Sequence, residues 1–159
     1  MPRMTPVTLL GRRILIVDDH EDTAAGMARA LADHGAVTRI AVDGVEAVQW
    51  IHSFAPEIVV IDIVMPGVDG FELARQLRSE KAARPLFLVA MTSWPLDDAA
   101  ARSAAAGFDV LLRKPLLVDT FVSALPVRLR SADAGDGQAA PADAPPKTEL
   151  SEGSSAFAS

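Results

Sequence analysis

The chain has 159 residues, half of them hydrophobic, with no cysteine and a net charge of −6. That length fits one domain plus a modest extension, and the missing cysteines exclude disulfides, thiolate nucleophiles and cysteine metal sites. The acidic balance, with tight basic pairs only at Arg12-Arg13, Arg113-Lys114 and Arg128/Arg130, argues against a nucleic-acid or membrane-surface binder.

Aromatics make up 5% and there is no tyrosine, so the core must be aliphatic. Residues 1–11 read as a loose, flexible leader without the apolar run of a signal peptide. No stretch approaches the roughly 20 apolar residues of a membrane span, and a cytoplasmic protein is expected.

Arg13-Ile14-Leu15-Ile16-Val17 predicts a first strand, ending in Asp18-Asp19. Asp22 or Thr23 can cap the helix that follows, in which Ala24, Met27, Ala28 and Leu31 recur at helical spacing up to Gly35. Gly26 inside it costs about 1 kcal/mol against alanine, which close packing would account for. Residues 36–41 alternate and predict a strand near an edge. Asp43-Gly44 turns the chain into a helix with Ala47, Val48, Ile51, Phe54 and Ala55 on one stripe and Trp50 packing on its flank. Ile58-Val59-Val60-Ile61 is a continuous apolar run, as in a strand buried on both faces, and it leads into Asp62. A third helix follows Gly70, with Leu73, Ala74 and Leu77 inward. Residues 85–91 form a fourth strand ending at Thr92-Ser93, and Pro95 opens an alanine-rich helix that closes at Gly107. Residues 109–112 form a fifth strand running into Arg113-Lys114-Pro115. Pro126 should shorten or kink the last helix, which starts near Asp119. From about Ser131 the chain is mostly Ala, Asp, Gly, Ser and Pro, and residues 131–159 read as a disordered tail. The folded domain is expected over 12–130.

Five strands alternating with helices imply right-handed βαβ units: an α/β domain with a five-stranded, parallel, doubly wound sheet and helices on both faces. The carboxyl ends of its strands carry Asp18 and Asp19, Asp62, Thr92 and Lys114, which converge on one rim. Crowded carboxylates repel one another unless a cation intervenes. Oxygen-only donors suit a hard divalent ion, Mg²⁺ or Mn²⁺. A lysine and a threonine hydroxyl beside them suit phosphoryl oxygens. Asp62, the single acid on the central strand, is the candidate nucleophile for an aspartyl phosphate, and Asp18 and Asp19 form the metal pair.

The pattern Asp18-Asp19, Asp62-x-x-Met65-Pro66-Gly67-x-Asp69-Gly70, Thr92-Ser93 and Lys114-Pro115 resembles the receiver domain of two-component response regulators. The resemblance implies a flavodoxin-like strand order 2-1-3-4-5. It implies that Asp62 accepts a phosphoryl group from a phosphohistidine on a sensor histidine kinase or a histidine phosphotransfer protein. It also implies Mg²⁺ ligation by Asp19, Asp62 and the Val64 backbone carbonyl, with Asp18 acting through water. Thr92 and Lys114 would bind phosphoryl oxygens, and the Lys114–Pro115 bond would be cis. The protein would be a phosphoacceptor assisting its own phosphorylation rather than an enzyme with turnover. With only a tail after the domain, signalling would pass through protein–protein contact or phosphorelay to an unknown protein target, without direct nucleic-acid or membrane binding.

Two positions depart from the family pattern. Leu111 stands where a switch Tyr or Phe is usual, which puts the Thr–aromatic coupling in question. Trp94, two residues after Thr92, is bulky enough to impede the hydrolytic water, and a long-lived phosphoryl state is the corresponding expectation. His20, His34 and His52 read as surface residues, His20 nearest the rim. The alternative reading is a Mg²⁺-dependent phosphatase with an aspartyl nucleophile. Such enzymes usually place a second acid two residues after the first, where this chain has Val64. A nucleotide or flavin binder would need a glycine-rich loop where the acidic residues 18–22 stand. A DNA-binding regulator would need a basic helix that residues 131–159 lack.

Overall fold

The computed structural model describes residues 9–65, 68–80, 85–93 and 95–129. The leader before Leu9, Pro66-Gly67, Trp94 and the tail lie outside them. Five strands, β1 (Arg13–Val17), β2 (Val37–Ala41), β3 (Ile58–Asp62), β4 (Phe87–Thr92) and β5 (Val110–Arg113), form one sheet. All its pairings are parallel, and its order is 2-1-3-4-5. The connecting helices are α1 (Glu21–Ala32), α2 (Gly44–Ser53), α3 (Gly70–Ser79) and α4 (Leu96–Ala106), and α5 (Val118–Ala124) closes the fold. β2 lies at an edge, as its alternating pattern predicts, and β3 is buried along its whole length.

Strand side chains alternate between two cores, as the two-residue period requires. Leu15, Val17, Val59, Ile61, Leu88 and Ala90 meet α2, α3 and α4. Ile14, Ile16, Ile58, Val60, Val89 and Met91 meet α1 and α5. A fully buried side chain of this size contributes about 1.5–3 kcal/mol, so this double layer fixes the strand ends against one another.

Several local expectations change. The leader does not stay loose to residue 11: Leu9 is fully buried in the α1/α5 core, and its N–H donates to the His34 carbonyl. α1 begins two or three residues earlier than an Asp22 or Thr23 cap would place it, with His20 at the cap position and Glu21 and Asp22 in the first turn. Acids there are favoured by the helix dipole without acting as caps. Gly26 is exposed, and a β-carbon there would meet nothing within 4 Å, so close packing does not explain it. The α2 stripe stops at Ser53; Phe54 is the C-cap and Ala55 takes φ 53°, because Pro56 disfavours a helical residue before it. α2 begins with a variant of the capping box: the N-cap Asp43 accepts the Glu46 N–H, and Glu46 accepts the N–H of Val42, one residue before the cap, both at 2.8 Å. α5 is indeed short, and after Leu125 and Pro126 the chain makes one 3₁₀ turn, Val127–Leu129.

Candidate functional site at the carboxyl rim

β1 and β3 are register neighbours, with Val17 opposite Ile61. The next residues along the two strands, Asp18 and Asp62, therefore leave the sheet side by side. Both are buried, with 0% and 4% of their surface exposed. Charged groups at that depth need a partner, and Lys114 supplies it. Its amine donates to Asp62 Oδ2 at 3.0 Å and stands 3.5 Å from Asp18 Oδ2. Lys114 is carried there by β5: Thr92 pairs with Arg113, and the Thr92 carbonyl accepts the Lys114 N–H at 2.9 Å. The Lys114–Pro115 bond is cis. Burial of the amine is the largest influence on its pKa and lowers it. The hydrogen bond and charge of Asp62, then those of Asp18, outweigh burial, and the pKa ends above the ordinary lysine value.

Each carboxylate is also fixed by backbone. Asp62 Oδ1 accepts the Val64 N–H and Asp18 Oδ1 accepts the His20 N–H, both at 2.9 Å. Asp62 thus has a separate donor on each oxygen, so its carboxylate is held in one orientation. Val64 pairs with Asp69 and Met65 with Val68 in a two-residue antiparallel ladder. The ladder carries the chain from Asp62 to Asp69, which caps α3 by accepting the Phe71 N–H at 2.9 Å.

Among the described residues, buried Asp19 Oδ1 has no hydrogen-bond donor, and buried Asp18 Oδ2 has no donor nearer than the Lys114 amine at 3.5 Å. Such atoms require an explanation, and an oxygen pair of this kind fits a hard cation such as Mg²⁺. Ligand atoms of Asp18, Asp19 and His20 all lie within 4.8 Å of one another. His20 Nδ1 is 3.6 Å from Asp19 Oδ1, while its side chain is largely exposed. His20 therefore flanks the rim.

The structure brings Asp18, Asp19, Asp62 and Lys114 together. Thr92 is buried at the end of β4, one residue past Met91, the register partner of Asp62. Leu111 is half-buried and packs on the α2–α4 core opposite Ala90. The other histidines are remote from the rim: His34 meets the Ala30 carbonyl and His52 meets Glu80. Trp50 packs, its Nε1–H donating to the Ile40 carbonyl under the Arg39 guanidinium.

Comparison with known proteins agrees with this arrangement. The response regulator receiver domain family matches residues 14–126. Response regulator MprA of Mycobacterium ulcerans (strain Agy99) is 34% identical over 141 residues, which is 87% of this chain and 59% of that protein. The chain thus spans about three-fifths of the length of such a curated relative. Among solved structures, a Burkholderia pseudomallei response regulator with a phosphorylated aspartic acid, calcium ion and citrate superposes with a TM-score of 0.67. Its identity is 23%, over 79% of this chain and 73% of that one. A chain of the complex between the Saccharomyces cerevisiae histidine phosphotransfer protein Ypd1 and the receiver domain of Ssk1 gives a TM-score of 0.63. Its identity is 22%, over 71% of this chain and 85% of that one. These likenesses establish the fold, and together with the match over 14–126 they make this chain a member of the response regulator receiver domain family.

Proposed function

We propose that Asp62 accepts a phosphoryl group from the phosphohistidine of a sensor histidine kinase or a histidine phosphotransfer protein. In the transfer a new O–P bond forms at the Asp62 carboxylate and the N–P bond of the donor breaks. The bonding pair stays on the imidazole nitrogen, which is then free to take a proton. The fixed orientation of the carboxylate removes a reorganisation step before attack. Lys114, held cationic by its two acids, offsets the negative charge arriving on the phosphoryl oxygens. The Thr92 hydroxyl donates to another of those oxygens. Asp18, Asp19, Asp62 and the Val64 carbonyl would hold Mg²⁺ (or Mn²⁺), which when bound neutralises charge between acceptor and phosphoryl group. The chain works as a phosphoacceptor, and its output passes by protein–protein contact or phosphorelay from two conformers that the phosphoryl group stabilises unequally. Among the described residues no helix is long and apolar enough to cross a membrane, and the proposed setting is the cytoplasm.

The observation that carries this reading is the Lys114 amine set between two buried acids from neighbouring strands. The test is incubation with acetyl phosphate and Mg²⁺, followed by intact mass. One phosphoryl adduct, lost in Asp62→Asn and in chelator, is the expected result. An adduct that persists in Asp62→Asn, or no adduct on the wild-type chain, overturns the reading.

A further inference from the structure

We infer that Gly70 is a positioning residue for the acceptor carboxylate: it lets α3 lie directly on the Asp62–Ile63 backbone, and any side chain there displaces Asp62 from its donors. This inference rests on the proposed role of Asp62. A β-carbon at Gly70 would stand 2.5 Å from Ile63 Cα, 2.9 Å from the Asp62 carbonyl oxygen and 3.2 Å from the Ile63 carbonyl carbon. All three are backbone atoms, which cannot rotate aside as a side chain can. The backbone at Gly70 is helical and its φ is not positive. An ordinary residue could adopt that conformation, so space alone demands glycine. Glycine also costs conformational entropy in a helix.

The crowded atoms belong to the segment that orients the acceptor. Ile63 lies between Asp62 and Val64, whose N–H holds Asp62 Oδ1, and the Ile63 N–H itself donates to the Met91 carbonyl at 3.0 Å. Relieving the contact with Ile63 Cα to the shortest distance real β-carbons show requires a shift of about half an ångström. α3 cannot supply that shift by backing away. Its first turn is held by the Asp69 cap and the buried Phe71. Its last turn is held by Arg78, which donates to the Leu86 and Gly107 carbonyls and to Asp109. The acceptor segment moves instead, and the Val64 N–H and Lys114 amine no longer meet the carboxylate together. Displacements of this order lower the rate of positioned chemistry by about one to two powers of ten.

The experiment compares Gly70→Ala with Gly11→Ala, both in a Gly26→Ala background. Gly11 precedes β1 at φ +76°, and a β-carbon there meets nothing within 4 Å, so that variant strains the backbone without touching α3 or its anchors. For chains shown folded by circular dichroism, the readouts are the rate of phosphorylation by acetyl phosphate at saturating Mg²⁺ and the Mg²⁺ dissociation constant by calorimetry. Expected are a rate at least about tenfold lower and weaker Mg²⁺ binding in Gly70→Ala, with Gly11→Ala matching the background chain in both. A folded Gly70→Ala chain with background rate and affinity overturns the inference. Should Gly70→Ala not fold in plain buffer, it is refolded in trimethylamine N-oxide, which strengthens burial, and the same two readouts decide there: a slowed rate is expected, and the background rate overturns the inference. A background chain that takes no phosphoryl group at all refutes the role of Asp62 instead, which separates the two failures.

Discussion

Replacing Lys114 by methionine keeps an unbranched side chain, one atom shorter, and removes its charge. Two buried carboxylates then face each other with no cation between them. Unit charges 3.0 Å apart, as Lys114 and Asp62 are, attract by roughly 5 kcal/mol at an effective dielectric near 20. Asp18 at 3.5 Å adds a comparable attraction. Desolvation of the amine and its residual contact with water cancel much of this, and losing one partner of a buried pair leaves a net cost of about 2–4 kcal/mol. For a domain of this size that lowers Tm by about 10 °C. The assay is thermal unfolding at neutral pH in chelator and again in Mg²⁺. In Mg²⁺ the variant recovers more of its Tm than the wild type gains, because no ammonium competes for the same acids. A variant as stable as wild type in chelator, or Mg²⁺ increments equal in both chains, refutes the electrostatic account of the rim.

The raised pKa of Lys114 gives this stabilisation an alkaline limit. The folded value lies above the unfolded value of about 10.4, so the contribution is complete below that pH and fades as pH rises through the folded value. Urea unfolding of wild type and Lys114→Met should therefore differ by a constant amount from pH 7 to about 9, and the two curves should converge above the folded pKa. Gly26→Ala should raise stability by about 1 kcal/mol in a urea titration, since the added methyl meets nothing. Leu111→Phe, which restores the family's aromatic, should cost about 1–3 kcal/mol by overpacking, because Leu111 already packs against the core; urea midpoints measure it.

The fold was legible wherever one strong local signal sufficed. Continuous apolar runs marked β1, β3, β4 and β5, and each ran into the polar residue that the rim then collects. Other features depend on contacts that the sequence does not print. Leu9 reads as part of a loose leader, and only the His34 carbonyl and the α1/α5 core explain its burial. Nothing in the sequence singles out Arg78 in the last turn of α3, yet its guanidinium joins the residue before β4, the end of α4 and Asp109. Gly26 and Gly70 show the limit most clearly. Both stand at helical positions, one with nothing around it and the other pressed onto backbone. The sequence reading expected close packing at Gly26 and only a turn before a helix at Gly70, the reverse of what is found, because closeness to another segment is a property of the assembled molecule.

Consider finally what it means for α3 to be fastened at each end. At one end Gly70 rests on the Ile63 backbone, and at the other Arg78 satisfies the Leu86 and Gly107 carbonyls. α4 lies against the same helix, its Arg102 guanidinium 4.2 Å from the centre of the Phe71 ring. The helix is thereby a brace, tying the acceptor end of β3 to the opening of β4 and the close of α4.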